Sequence, residues 1–167
     1  ALKILGHDSD MMGYLGGYIG RELERLLIAD GFPSSFHHCN GTTRANIKVE
    51  KDGEVTEFNS PGPTISNVDW ERLSQTLMET SYGVDYLELA GSLPPGIAVD
   101  AYKDLISTVR KTRPDTYICL DASGSALVAA IKERPSMIKP NIHELAALFG
   151  HSDRELSSEL RVLSHQA

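Results

Sequence analysis

The sequence predicts an α/β fold: a parallel sheet with helices on both faces, interrupted by a small β insertion. Three observations predict it. Short apolar runs alternate with segments whose apolar residues recur at helical spacing. The turns between them are rich in glycine, proline and aspartate, as strand-to-helix connections are. Residues 36–60 break this rhythm, with strict two-residue alternation from Thr43 to Val49.

Asp10 to Leu15 reads as the first strand, followed by Gly16 and Gly17. Ile19, Leu23, Leu26 and Leu27 then recur at helical spacing, and Gly31 closes that helix. In the insertion, Thr43, Ala45, Ile47 and Val49 fall on one face of a strand, and Arg44, Asn46 and Lys48 on the other. Lys51-Asp52-Gly53 supplies a turn, Glu54 to Asn59 returns as the hairpin partner, and Pro61-Gly62-Pro63 ends it. A second helix opens at Ser66, with Asp69 three residues on and Trp70, Leu73 and Leu77 along one face. Val84 to Ala90 is a strand running into Gly91-Ser92-Leu93-Pro94-Pro95-Gly96, and the next helix carries Tyr102, Leu105, Ile106 and Val109. Tyr117 to Leu120 is a strand ending at Asp121, and Ser123 to Lys132 is an alanine-rich helix. Ser136 to Ile138 leads into Lys139-Pro140-Asn141, and Glu144, Leu145 and Leu148 sit on a helix ended by Gly150. This divides the chain into a core α/β domain, residues 1–35 and 64–167, and a β lid insertion, residues 36–63. Ala1 to Leu5 reads as the last turns of a helix stopped by Gly6, and Ser152-Asp153-Arg154-Glu155 as a capping box opening another. Both ends read as cut, so the chain is expected to be the central part of a longer one.

Composition limits the function classes. At 167 residues, 41% hydrophobic and 23% charged, the chain can bury a core and is not a disordered sequence. Sixteen basic against twenty-three acidic residues give a net charge of -7, which argues against nucleic acid or an anionic membrane as the main partner. No apolar stretch approaches the roughly 20 residues of a membrane span. Cys39 and Cys119 are the only cysteines, too few for a disulfide framework or a zinc cluster. The default expectation is a reduced, cytoplasmic protein.

In open parallel sheets, ligands bind outside the carboxyl ends of the strands. Gly16-Gly17, Gly91-Ser92, Asp121 and Lys139-Pro140-Asn141 are all expected there, gathered at one cleft. Their glycines fit neither G-x-G-x-x-G nor the P-loop pattern, and His143-Glu144 lacks the second histidine of a zincin helix. His37 and His38 are adjacent, so in a strand they point to opposite faces and read as ordinary strand residues. Three signals remain. Arg44, Asn46 and Lys48 offer two cations and an amide to a phosphate or sugar phosphate, against the plainer reading of a solvated strand edge. Gly91-Ser92 offers backbone N–H groups and a hydroxyl at a helix entrance, against plain capping. Asn141 and Glu144, three apart on the first turn of a helix, suit the waters of a hydrated Mg²⁺, against a simple balance of the helix dipole.

Lys139-Pro140-Asn141-Ile142-His143-Glu144-Leu145 matches K-P-N-x-x-E-L, and Ala90 to Gly96 matches an S-G-S-L-P-x-G loop with Ala for the first Ser. Gly16 to Gly20, Thr43 to Lys48, Pro61 to Pro63 and Leu120 to Gly124 match in the same order. Together they resemble the PfkB (ribokinase-like) carbohydrate kinases over essentially the whole chain, and most of all their hexose-phosphate branch, the 1-phosphofructokinases and tagatose-6-phosphate kinases. The resemblance implies a ribokinase-like sheet and MgATP-dependent phosphorylation of a ketohexose phosphate, with fructose 1-phosphate giving fructose 1,6-bisphosphate. Tagatose 6-phosphate is the runner-up substrate, and a non-catalytic sugar-phosphate-binding module is the competing class. It implies that Arg44, Asn46, Lys48, Gly16, Gly17 and Ser92 contact the sugar phosphate and that Lys139, Asn141 and Glu144 contact ATP. Asn141 and Glu144 would hold Mg²⁺ through water, and Asp121 would share the cleft. It also implies a homodimer formed through the β lid. No Gly-x-Gly-Asp, the family's anion hole and catalytic base, occurs in these residues. No catalytic base is therefore expected within this chain, and these residues alone are expected to show no turnover.

Overall fold

The computed structural model describes residues 5–32, 34–80 and 83–150, with Ser34 described by its backbone. The expected helix ends at residues 1–4 and 152–155 lie outside the described residues. The chain forms two compact units, Ala1–Thr80 with Pro94–Ile97, and Ser81–Leu93 with Ala98–Ala167. Each is described by itself.

In the first unit, β1 (Met11–Leu15) lies parallel to β2 (Ser34–His38), with Met11 opposite Ser34 and Leu15 opposite His38. The connection runs through α1 (Gly17–Ala29), which the helical spacing predicted and Gly31, in the left-handed region at φ 72, terminates. Residues 36–38 thus stand beside β1, ahead of the hairpin. The ribbon itself is β3 (Asn46–Lys51) with β4 (Glu54–Asn59), antiparallel, Lys51 opposite Glu54. Asp52 and Gly53 both have positive φ, 54 and 81, which is the type I′ geometry that matches strand twist. Register puts Ile47, Phe58, Val49 and Thr56 on one face and Asn46, Asn59, Lys48 and Glu57 on the other. Ile47, Val49 and Phe58 remain 57%, 48% and 59% exposed. α2 (Asn67–Thr80) starts as predicted: Asp69 N–H donates to Ser66 Oγ at 3.1 Å, and Ser66 Oγ–H donates to Asp69 Oδ2 at 2.6 Å. Tyr14 Oη donates to Asp69 O at 3.0 Å, joining β1 to α2. Burial pushes that phenol up to about 12.

The second unit holds a three-stranded parallel sheet in the order β5 (Tyr86–Ala90), β6 (Tyr117–Asp121), β7 (Met137–Ile138). Leu89 faces Leu120 across the first ladder and Ile138 faces Leu120 across the second. α3 (Ala101–Thr112) and α4 (Gly124–Ala130) make the crossovers, and the predicted helix over Ser123 to Lys132 tightens to a 3₁₀ turn at Ile131–Glu133. Alternation puts Leu89, Ile118 and Leu120 on one sheet face, where Ile106, Val109 and Leu127 complete a core exposed by 8% or less. Each such side chain contributes roughly 1.5–3 kcal/mol of burial. On the opposite face Tyr86, Tyr117 and Met137 are exposed.

β7 has two residues, too few to hold register by its own ladder. Arg110, in the last turn of α3, donates from Nη2 to Arg134 O and Ser136 Oγ and from Nη1 to Pro114 O and Thr116 O. Ser136 Oγ also accepts Ile118 N–H at 3.1 Å. β7 is thereby anchored to β6 just before it begins. α5 (Ile142–Phe149) follows, stopped by Gly150 at φ 68. No helix among the described residues is long and apolar enough to cross a membrane.

Candidate functional site

The carboxyl ends of the second unit's strands converge. Gly91 and Ser92 after β5, Asp121, Ala122 and Ser123 at the end of β6, and Glu144 on the first turn of α5 line one open pocket. Lys139 continues the β7 ladder, its N–H donating to Leu120 O at 3.1 Å, and its Nζ pairs with Asp121 Oδ2 at 2.9 Å. That contact holds the exposed ammonium's pKa above the ordinary lysine value. The turns expected at one rim are therefore gathered here for Ser92, Asp121, Lys139, Asn141 and Glu144.

Asn141 and Glu144 form a capping box. Glu144 N–H donates to Asn141 Oδ1 at 2.9 Å, and Asn141 N–H donates to Glu144 Oε2 at 2.7 Å. The plainer reading, a carboxylate balancing the helix dipole, is joined here by a complete capping box. It does not exhaust the groups: amide and carboxylate oxygens have lone pairs beyond those the two N–H groups use. An oxygen-only donor pair beside a pocket fits a Mg²⁺ ion that keeps its waters. Among the described residues no cluster of three or more His, Cys, Asp or Glu could enclose a metal directly.

Ser92 does not stand at a helix entrance, which corrects the expectation. α3 begins only at Ala101, and the Gly91 N–H is already donated to Asp121 O at 2.8 Å. The segment between, Pro94–Ile97, belongs to the first unit, where Pro95 O accepts Ile65 N–H. A Cβ on Gly96 would lie 2.4 Å from Ile65 O, so the loop's final glycine is required by close backbone approach.

In the first unit, the glycines after β1 admit a strap of backbone. Thr43 Oγ1 accepts Gly16 N–H at 2.9 Å, and Thr43 N–H donates to Gly16 O at 3.0 Å. A Cβ on Gly16 would lie 2.8 Å from Gly41 O, and one on Gly20 would lie 2.7 Å from Thr43 Oγ1. Gly16, Gly17 and residues 39–43 thus form one knot, and Arg44 follows it directly. This corrects the single cationic face: Thr43 is held at Gly16 and β3 starts at Asn46, so Arg44 precedes the strand. Arg44 is exposed, with Gly62 packed against its stem, 3.4 Å from a Cβ there to Arg44 Cβ. Lys48 Nζ pairs with Glu57 Oε1 at 2.6 Å directly across the ribbon and holds that carboxyl below the usual glutamate value. Asn46 is exposed on the same face. His38 lies 3.3 Å from Glu24, and His37 bonds Thr76, as ordinary strand residues do.

Sequence reasoning missed Thr43 and Tyr102. Thr43 was counted in an alternating strand, because the alternation runs past the point where the strand begins. Tyr102 was read as one more apolar position of a helix face. It is 7% exposed, yet its hydroxyl donates to Ala90 O at 3.2 Å and Gly91 O at 3.1 Å. Helical spacing does not distinguish a phenol that packs from one that also bonds.

The family profile of the pfkB family carbohydrate kinases matches residues 1–166. The chain is similar to the 1-phosphofructokinase of Bacillus subtilis, 34% identical over 142 residues, 85% of this chain and 46% of that protein. It is 36% identical over 156 residues to the 1-phosphofructokinase of Escherichia coli K12, 93% of this chain and 49% of that protein. Its fold superposes on the crystal structure of phosphofructokinase-2 from Escherichia coli with a TM-score of 0.78 and 30% identity, covering 95% of this chain and 53% of that one. The chain spans about half the length of the curated relatives it matches. On its sequence and its fold alike, this chain belongs to the pfkB family of carbohydrate kinases.

Proposed function

We propose that the protein takes part in ATP-dependent phosphorylation of a ketohexose phosphate, fructose 1-phosphate to fructose 1,6-bisphosphate. The observation that carries this reading is the pocket where Ser92, Asp121 and Glu144 meet at the carboxyl ends of parallel strands, with Lys139 beside it and the α5 N-terminus opening onto it. Names of the relatives support the substrate: 1-phosphofructokinases at 34–36% identity.

Phosphoryl transfer requires positioning and charge stabilisation more than covalent chemistry. On this reading Lys139 neutralises nucleotide phosphate charge, giving up part of its contact with Asp121 as it does so. Asn141 and Glu144 orient the waters of Mg²⁺, which when bound offsets charge on the transferred phosphoryl group. Gly16, Gly17 and Ser92 line the sugar site, and Arg44, with Asn46 and Lys48, meets the phosphate already on the sugar. The exposed guanidinium of Arg44 is suited to bidentate phosphate contact. Lys48 is available only at the expense of its pair with Glu57. The β ribbon, within the insertion of residues 36–63, is the lid element of this reading. Its apolar face, Ile47, Val49 and Phe58, meets the same face of a second copy in a homodimer. The free thiols of Cys39 and Cys119 suit the reducing cytoplasm.

The test is a panel of sugar phosphates offered to the full-length protein, with ATP consumption as readout. Fructose 1-phosphate should give the highest kcat/KM. A preference for tagatose 6-phosphate would move the assignment to the neighbouring kinase. Binding of sugar phosphate without ATP turnover would support a non-catalytic module instead.

A further inference from the structure

We propose that Tyr102 is a positioning residue for the pocket: its hydroxyl fixes the Ala90–Gly91 turn that aims the Ser92 backbone. This rests on the kinase reading of the pocket and adds a residue that does not line it. The hydroxyl reaches two successive carbonyl oxygens, Ala90 O and Gly91 O. In a regular strand, successive carbonyls point to opposite sides. Here one group reaches both, so the chain reverses locally, and Gly91 takes φ 94 to do it. A Cβ on Gly91 would meet nothing within 4 Å, so glycine is required there by the dihedral and not by space.

The consequence for the neighbouring amides is geometric. A trans peptide is planar, with its N–H antiparallel to its C=O. Holding Ala90 O toward α3 sends the Gly91 N–H the other way, where it donates to Asp121 O at 2.8 Å. Holding Gly91 O toward α3 sends the Ser92 N–H to that same side. The Gly91 amide is committed to Asp121 O, so the amide that this turn aims is that of Ser92, and Ser92 lines the pocket with Asp121, Ser123 and Glu144. The phenol is buried, and desolvation, aided by Asp121, raises its pKa, so it stays a donor throughout the neutral range.

Tyr102→Phe tests this, because it keeps the ring and removes only the hydroxyl. Hydrogen exchange at the Gly91 amide should accelerate about tenfold, while exchange at Ile106 in the middle of α3 stays unchanged. In the full-length protein the sugar-phosphate KM should rise about tenfold with the MgATP KM unaltered. Tyr102→Leu, which loses ring and hydroxyl, should be no worse than Phe in sugar-phosphate KM. Unaltered Gly91 exchange in Tyr102→Phe overturns the proposal. So does accelerated exchange with an unchanged KM, or a phenylalanine variant that restores everything leucine loses. A wild-type protein that turns over no sugar phosphate refutes the kinase reading, and faster Gly91 exchange would then still support the pinned turn.

Discussion

Replacing Asn141 separates two roles that one side chain combines. Asn141→Ala deletes the acceptor of the Glu144 N–H and leaves the reciprocal bond from the Asn141 N–H to Glu144 Oε2. Loss of an N-cap acceptor costs about 1 kcal/mol, close to a fivefold increase in the opening of α5. Asn141→Ser keeps a good capping oxygen and should recover most of that. Native-state hydrogen exchange at Leu145 reads the difference, because its N–H donates to Asn141 O in the first turn of the helix. About fivefold faster exchange is expected for alanine, and less than about twofold for serine. Both substitutions remove the amide, so in the full-length protein both should demand more Mg²⁺ for half-maximal activity. A serine variant with the wild-type Mg²⁺ titration would refute the metal role and leave Asn141 as a cap alone. A serine variant that exchanges as fast as alanine would refute the capping arithmetic.

The companion substitution Glu144→Gln keeps the acceptor for the Asn141 N–H but removes the charge. It should raise the Mg²⁺ requirement while α5 stays folded, checked by the same titration. Arg44→Ala should raise the sugar-phosphate KM roughly ten- to hundredfold, the worth of a charge-assisted contact of about 1.5–3 kcal/mol. Unchanged steady-state kinetics would return Arg44 to a solvated edge. The pair of Lys139 with Asp121 gives a signed pH dependence, because the folded ammonium holds its proton more tightly than the unfolded one. Its stabilisation is complete below the ordinary lysine range and is lost as pH rises through the raised value. Asp121→Asn should flatten that alkaline limb of a denaturation series, and an unchanged limb would count against the pair. Gly20→Ala places a Cβ 2.7 Å from Thr43 Oγ1 and 3.0 Å from the Leu15 carbonyl carbon. Overpacking of about 1–3 kcal/mol is expected, seen as a lower urea midpoint and faster exchange of the Gly16 amide.

Elements with strong periodicity were legible. The stripe Tyr102, Leu105, Ile106 and Val109 is the buried face of α3, and the Asp52-Gly53 turn is type I′ as its residues demand. Asn141 and Glu144 were legible from spacing as a pair on the first turn of a helix, and the structure adds that they form a capping box. The site was legible only where it is local. Lys139 pairing with Asp121 joins two strands, and Thr43 binding Gly16 spans 27 residues, so neither leaves a periodic trace. Arg44 was placed on a strand face because composition alternates through it, although hydrogen bonding to Gly16 ends the irregular strap only at Thr43. Gly91 illustrates the converse. Its identity suggested phosphate binding, but its amide is already committed to Asp121 O, and its distinctive property is the sign of φ.

The brevity of β7 has an effect that reaches beyond its own two residues. In a strand, displacement by a single position exchanges the two sides of the sheet, and here it would swing Lys139 away from Asp121. Two ladder partners offer little resistance to such a slip. The resistance comes from the far end, where the Arg110 fork and the Ser136 hydroxyl tether the incoming chain. The alignment of the lysine at the rim is therefore decided by an arginine at the opposite end of the sheet, and drift in the 134–136 loop would alter the rim chemistry without changing any residue that lines it.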